Sequence, residues 1–124
     1  MHPVAWRAAD AASLLLAPGL KDHKYSRGVL GLRTGSASYP GAAVLSAEAA
    51  WRTGVGLVRY ISPIDEASPD FGLPSPAAAI LAVRPETVFS GDRGEDRGRC
   101  DAWLIGSGTD PVARSFGEHE ALLD

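Results

Sequence analysis

Apolar and polar positions along this chain fall into short runs divided by glycine and proline. Val29 to Thr34 is brief, mostly apolar and suited to a buried strand. Gly35-Ser36 ends it, and Ser38-Tyr39-Pro40-Gly41 delays the next element by one turn. From Ala42 to Thr53 the pattern is helical, with Ala42, Ala43, Ala47, Ala49 and Ala50 beside Leu45, Glu48 and Arg52. Gly54 suits the left-handed residue that closes a helix. Val55 to Ile61 then returns as a second strand. Strand, helix and strand at this spacing make a βαβ unit, whose crossover is nearly always right-handed. The rest of the chain extends or flanks that unit.

Upstream, Pro3 to Ala17 is predicted as a helix lying across the sheet. Val4, Ala8, Ala11 or Ala12, Leu15 and Leu16 fall on one side, and Pro18-Gly19 stops it. Residues 17–28 read as a linker. Downstream, 62–76 reads as a turn-rich loop, with Pro63, Pro69, Pro74 and Pro76 among Asp65, Glu66 and Asp70. Ala77 to Val83 is an apolar run of strand length. Arg84-Pro85-Glu86 interrupts it, and Thr87-Val88-Phe89 is a further short extended piece. Residues 91–99, with their GDRGEDRG run, read as a charged, mobile surface loop without a Mg²⁺ site. Asp101 to Ile105 is the next buried strand, and Gly106-Ser107-Gly108 follows it. Thr109 or Asp110 is then a good N-cap, and Pro111 a good first residue, for a helix from Val112 to Leu123.

The chemistry concentrates at two turns. A helix N-terminus after a parallel strand offers free backbone N–H groups and the positive end of the helix dipole. Gly35 and Gly41 would let a ligand approach the backbone there, and Ser36 and Ser38 could donate hydrogen bonds. The stretch is neither GxGxxG nor a P-loop, so an ordinary βα turn stays open beside a binding site. Gly106 to Gly108 repeats the arrangement, and two such turns at the ends of neighbouring parallel strands would face one crevice. Lys21, His23, Lys24 and Arg27 form either a solvated loop or an electropositive rim beside an anionic ligand. Trp51 reads as packing more readily than as a stacking platform.

Composition narrows the classes. A chain of 124 residues fits one domain, and its formal charge of -3 argues against a general nucleic-acid or membrane-surface binder. The lone Cys100 excludes an internal disulfide, fits a reducing, cytoplasmic setting and reads as a small, partly buried residue. No apolar run approaches the ~18 residues of a membrane span. His2, His23 and His119 stand apart, so no metal site and no Ser/His/Asp or Cys/His set is visible. Three or four strands are few for a doubly wound α/β sheet, and the sequence reads as the first part of something larger. A half-sheet exposes an edge and apolar faces, which predicts a homo-oligomer or another partner.

The stretch His23 to Gly56, in the pattern HKxxxGxxxxxxGSxxYPGAAxLxxxAAxRxGxG, resembles the ADP-dependent NAD(P)H-hydrate dehydratases. Arg84-Pro85-Glu86 is similar to that family's Pro-Glu element, and Asp101 to Gly108 to its strand and Gly-Pro-Gly turn. The resemblance implies a three-layer, mostly parallel doubly wound fold of ribokinase type, present here as its N-terminal part. It implies repair of hydrated NADH or NADPH, in which a nucleotide phosphorylates the ring hydroxyl and phosphate leaves as the double bond returns. ADP or ATP, with Mg²⁺, would serve the full-length protein. By the match, Gly41, Ala42, Gly106 and Gly108 would touch the hydrated cofactor, with Ser36 and Tyr39 as second contacts. Ser107 replaces the family's proline, which predicts a looser turn, and Asp110 would bring a negative charge near an anionic ligand. The family's Gly-Thr-Gly-Asp motif, with its catalytic aspartate, and the Thr-Pro-His segment are absent, so no catalytic residue is expected in this chain and none of the activity from it alone. Two rival readings remain: a small-molecule kinase of the same fold, for a sugar or vitamin precursor, and a non-catalytic nucleotide-binding or oligomerisation module.

Overall fold

The computed structural model describes residues 2–62, 70–91 and 98–109. Its centre is a parallel sheet of four strands in the order β3-β2-β1-β4. The strands are β1 (Val29–Arg33), β2 (Leu57–Ser62), β3 (Val88–Gly91) and β4 (Ala102–Ile105). β1 lies between β2 and β4, with Leu30 opposite Val58 on one side and Ala102 on the other. β2 and β3 continue the sheet in register, Arg59 opposite Val88. The chain thus steps outward from β1 through β2 to β3, then returns to β1's other flank.

Two helices build the layer over one face. Helix α2 (Pro40–Arg52) connects β1 to β2, and α3 (Pro76–Val83) connects β2 to β3. The alanine run works as its composition suggests: Ala43, Ala47 and Ala50 are buried in one cluster with Leu32, Val58, Tyr60 and Ile80. Small side chains let the helix axis approach the pleated surface, so the larger strand residues fill the core. Trp51 closes the bottom of this layer, packed against the cluster and donating through its indole N–H to Thr87 Oγ1 at 2.9 Å.

Helix α3 corrects the extended reading of Ala77 to Val83. A short apolar run cannot be told from a buried strand by periodicity alone. Its start decides the matter: Ser75 Oγ accepts a hydrogen bond from Ala78 N at 3.2 Å, and Pro76 holds a first-turn position where its missing N–H is harmless. Topology agrees, because β2 and β3 are parallel and need a crossover. The loop before it holds a single 3₁₀ turn, Asp70–Gly72, among the described residues.

The N-terminal segment is a second correction. Helix α1 covers only Ala8–Ala12, none of its residues is buried, and Val4, Leu14, Leu15 and Leu16 remain exposed. Its one end bond of note is Arg7 N donating to the Asp10 carboxylate at 2.9 Å. Its apolar stripe finds no sheet surface among the described residues, and so short a helix has little stability of its own. Cys100 is half-buried, as expected, and its sulfur and the Trp103 ring both lie against Gly31. The helix expected at Val112 to Leu123, most of the 91–99 loop and Asp110 lie outside the described residues. No helix among the described residues is long and apolar enough to cross a membrane.

Candidate functional site

The direction of the strand order reverses at β1, with β2 and β3 on one side and β4 on the other. In open parallel sheets, ligands bind outside the carboxyl ends of the strands at that point. Here Arg33 and Ile105 are register partners at the ends of β1 and β4, so both glycine turns emerge side by side. Two backbone bonds fasten them together: Gly106 N donates to Arg33 O at 3.3 Å, and Gly35 N to Ser107 O at 2.7 Å. From beneath, the buried Tyr60 hydroxyl donates to Thr34 O at 2.9 Å and holds the end of β1 in place.

The glycines divide into two kinds. Gly35 (φ 76°) and Gly108 (φ 69°) sit in the left-handed region and are packed shut. A Cβ on Gly35 would stand 2.7 Å from Ala43 Cβ, and one on Gly108 would overlap Ala42 Cβ and lie 3.4 Å from Tyr39 Cβ. Gly41 and Gly106 face open space, with no atom within 4 Å of a Cβ built on either. Gly106 needs glycine for its φ of 125°, whereas Gly41 sits in the first turn of α2 without a positive φ. Neither packing nor backbone conformation calls for a glycine at position 41.

The first turn of α2 is left open in another sense. Tyr39 is its N-cap and makes no capping bond through its own side chain, and Tyr39 is 66% exposed at the rim. Pro40 lacks an N–H, so the amides available at this end belong to the residues that follow. Ala42 N donates to Tyr39 O at 3.2 Å, and half-buried Ser36 accepts Tyr39 N at 3.1 Å through its carbonyl. All six residues singled out from sequence, Ser36, Tyr39, Gly41, Ala42, Gly106 and Gly108, therefore belong to one rim. The second turn is closed on itself. Thr109 N donates to Gly106 O at 3.2 Å, and Thr109 Oγ1 donates to the same oxygen at 2.6 Å. The residue pattern offers Thr109 as an N-cap, and no local signal marks its bond to Gly106 O.

The basic connection before β1 lies elsewhere. Lys24 O abuts Gly56, and Arg27 Nε donates to Gly54 O at 3.0 Å, which places both at the amino ends of β1 and β2. Lys21, His23, Lys24 and Arg27 thus do not rim the crevice, which opens at the other end of the strands. Local carboxylates hold this region. Asp22 accepts Gly19 N at 2.7 Å and Ser26 Oγ at 3.0 Å, and these bonds lower its pKa. The Val29 N–H and then the Arg99 guanidinium likewise lower that of Asp101. His23 is folded into its own turn, its Nδ1 accepting from Tyr25 N and Ser26 N at 3.3 Å each. Among the described residues no three His, Cys, Asp or Glu side chains are grouped to hold a metal ion.

Comparison with known proteins places this geometry. The family model for NAD(P)H-hydrate dehydratase matches residues 30–115. The chain belongs to the NAD(P)H-hydrate dehydratase family. Among its relatives are the bifunctional NAD(P)H-hydrate repair enzymes Nnr of Mycobacterium leprae, Mycobacterium tuberculosis and Corynebacterium glutamicum. They are 37%, 36% and 36% identical over 82%, 85% and 89% of this chain. These matches cover 19%, 20% and 17% of the relatives, so the chain spans about a fifth of their length. The ADP/ATP-dependent NAD(P)H-hydrate dehydratase of Bacillus subtilis, co-crystallised with ATP and Mg²⁺, superposes with a TM-score of 0.64. That match covers 84% of this chain and 36% of the other at 24% identity, which establishes a shared ribokinase-like fold. The parallel sheet with α2 and α3 on one face is part of that doubly wound architecture.

Proposed function

We propose that this chain forms one wall of the substrate crevice of an enzyme that repairs hydrated NADH or NADPH, and that it carries none of the catalytic groups. The observation that supports this reading most is Gly41. A glycine in a helical first turn lowers helix stability, and here nothing in the fold asks for it. A ligand lying against the backbone accounts for it, as it does for the open face of Gly106. A hydrated dinucleotide carries a pyrophosphate, and the start of α2 presents N–H groups and a positive dipole end to such an anion. The exposed Tyr39 ring stands where a flat heterocycle could stack, with Ser36 beside it.

ADP or ATP, when bound, supplies the phosphoryl transfer that makes the ring hydroxyl a leaving group. Among the described residues no three acidic or other metal-ligating side chains are grouped to hold its Mg²⁺. What the chain itself does is orient the hydrated ring between Gly41-Ala42 and Gly106-Gly108 and keep its phosphates on the α2 amides.

The test is an assay of the full gene product with hydrated NADH and ADP, following the return of absorbance from the dihydronicotinamide ring, with residues 1–124 alone as a parallel sample. Activity in the full product and none in 1–124 is the expected result. Turnover by 1–124 alone would refute the inactive-wall reading. Phosphorylation of a sugar or vitamin precursor, without dehydration of hydrated NADH, would refute the substrate assignment.

A further inference from the structure

We infer that Thr109 is a positioning residue, whose hydroxyl holds the second glycine turn against the first and so sets the width of the crevice. The inference rests on the reading of that crevice as the substrate site. Gly106 to Thr109 forms a four-residue turn immediately after β4, with the φ of 69° at Gly108 that marks a type II turn. Proline at the second position pre-sets such a turn, and this chain has Ser107 there. The missing restraint is replaced from the fourth position. Thr109 closes the turn twice on one acceptor, through its N–H at 3.2 Å and its hydroxyl at 2.6 Å, both to Gly106 O.

The consequences reach the other wall. With the turn closed, Ser107 O points at Gly35 N, 2.7 Å away, and Gly108 lies against Ala42 and Tyr39. Without the hydroxyl, a single backbone bond from Thr109 N closes a turn that contains two glycines, residues with wide conformational freedom. The Gly35–Ser107 link and the Gly108–Ala42 contact would then loosen together, while the strands stay paired.

The experiment uses the full gene product with Thr109→Val, Thr109→Ser, and Thr109→Val combined with Ser107→Pro. Two measurements are made: steady-state kinetics with hydrated NADH, and amide hydrogen exchange at Gly35. Thr109→Val is expected to raise KM by about threefold or more, the worth of one neutral hydrogen bond, with kcat moving less. Thr109→Ser keeps the wild-type KM, and Ser107→Pro restores it in the valine background. Gly35 exchange follows the same order, faster in Thr109→Val alone. An unchanged KM in Thr109→Val, or no rescue by serine, overturns the inference. If the wild-type protein leaves hydrated NADH untouched, the functional reading falls instead. The exchange data then decide the matter for Thr109, and equal rates in all variants overturn it.

Discussion

At the scale of single residues, glycines in this chain do different work, and substitution separates them. Gly41 is helical, open on its Cβ side and free of backbone strain. Gly41→Ala is therefore expected to stabilise the fold by about 0.4–1 kcal/mol, through a less flexible unfolded chain, while weakening the hydrated dinucleotide. Denaturant unfolding beside ligand titration checks both halves, and a variant that gains stability without losing affinity would remove the case for backbone contact. Gly108→Ala is the opposite experiment. Its new methyl would meet Ala42 Cβ in a left-handed backbone, so a loss of at least about 1–3 kcal/mol is expected from overpacking alone. Gly31 belongs to the same group for another reason. A Cβ there would lie 2.5 Å from the Trp103 ring, which crosses the sheet face away from α2 and α3.

At the scale of elements, an ion network ties α2 to the end of α3. Glu48 accepts Arg84 Nη2 at 2.8 Å and Arg52 Nε at 2.6 Å, and Arg84 also reaches Glu86 at 3.4 Å. These bonds, Arg84's first and Arg52's second, hold the Glu48 carboxyl down at about 2, against an ordinary value of 4.5. A carboxyl with a lowered folded-state pKa stabilises the fold fully above its unfolded value, and loses that contribution as the pH falls through the folded one. The stability of the protein should therefore fall between about pH 4.5 and 2 in part through Glu48, and Glu48→Gln should flatten that segment of the curve. Parallel pH-dependent unfolding of the two proteins checks it, and superimposable acid limbs would show that the bridge is idle. The start of α3 carries a separate prediction. Ser75→Ala removes the acceptor for Ala78 N and is expected to cost about 1 kcal/mol, read from the unfolding midpoint.

Over the whole molecule, the described residues leave apolar surface uncovered. Leu104 on β4 is 41% exposed, and Val4, Trp6, Leu14, Leu15 and Leu16 are more exposed still. β4 is also an outer strand of the described sheet. The chain is expected to self-associate with rising concentration, as measured by light scattering. A strictly monomeric 1–124 at high concentration would show that these surfaces are tolerated in water.

The sequence by itself determined the βαβ unit, because each of its signals is local. Val29 to Thr34 is apolar over a strand's length, the alanines from Ala42 to Ala50 are helical, and Gly54 ends the helix at φ 84°. It also marked both glycine turns, since glycine beside a helix start is itself the signal. Tertiary structure decided the rest. Ala77 to Val83 became α3 because a parallel partner strand demands a crossover and Ser75 caps its start. The Lys21 to Arg27 charges went to the far end of the strands because the direction of β1 carries them away from its carboxyl end. The Thr109 hydroxyl reached Gly106 O only once the turn had folded, since no residue pattern announces which oxygen a hydroxyl will find. Strand order, which sets β4 beside β1 and makes two turns one crevice, arises from pairing across some seventy residues of chain that no local pattern encodes.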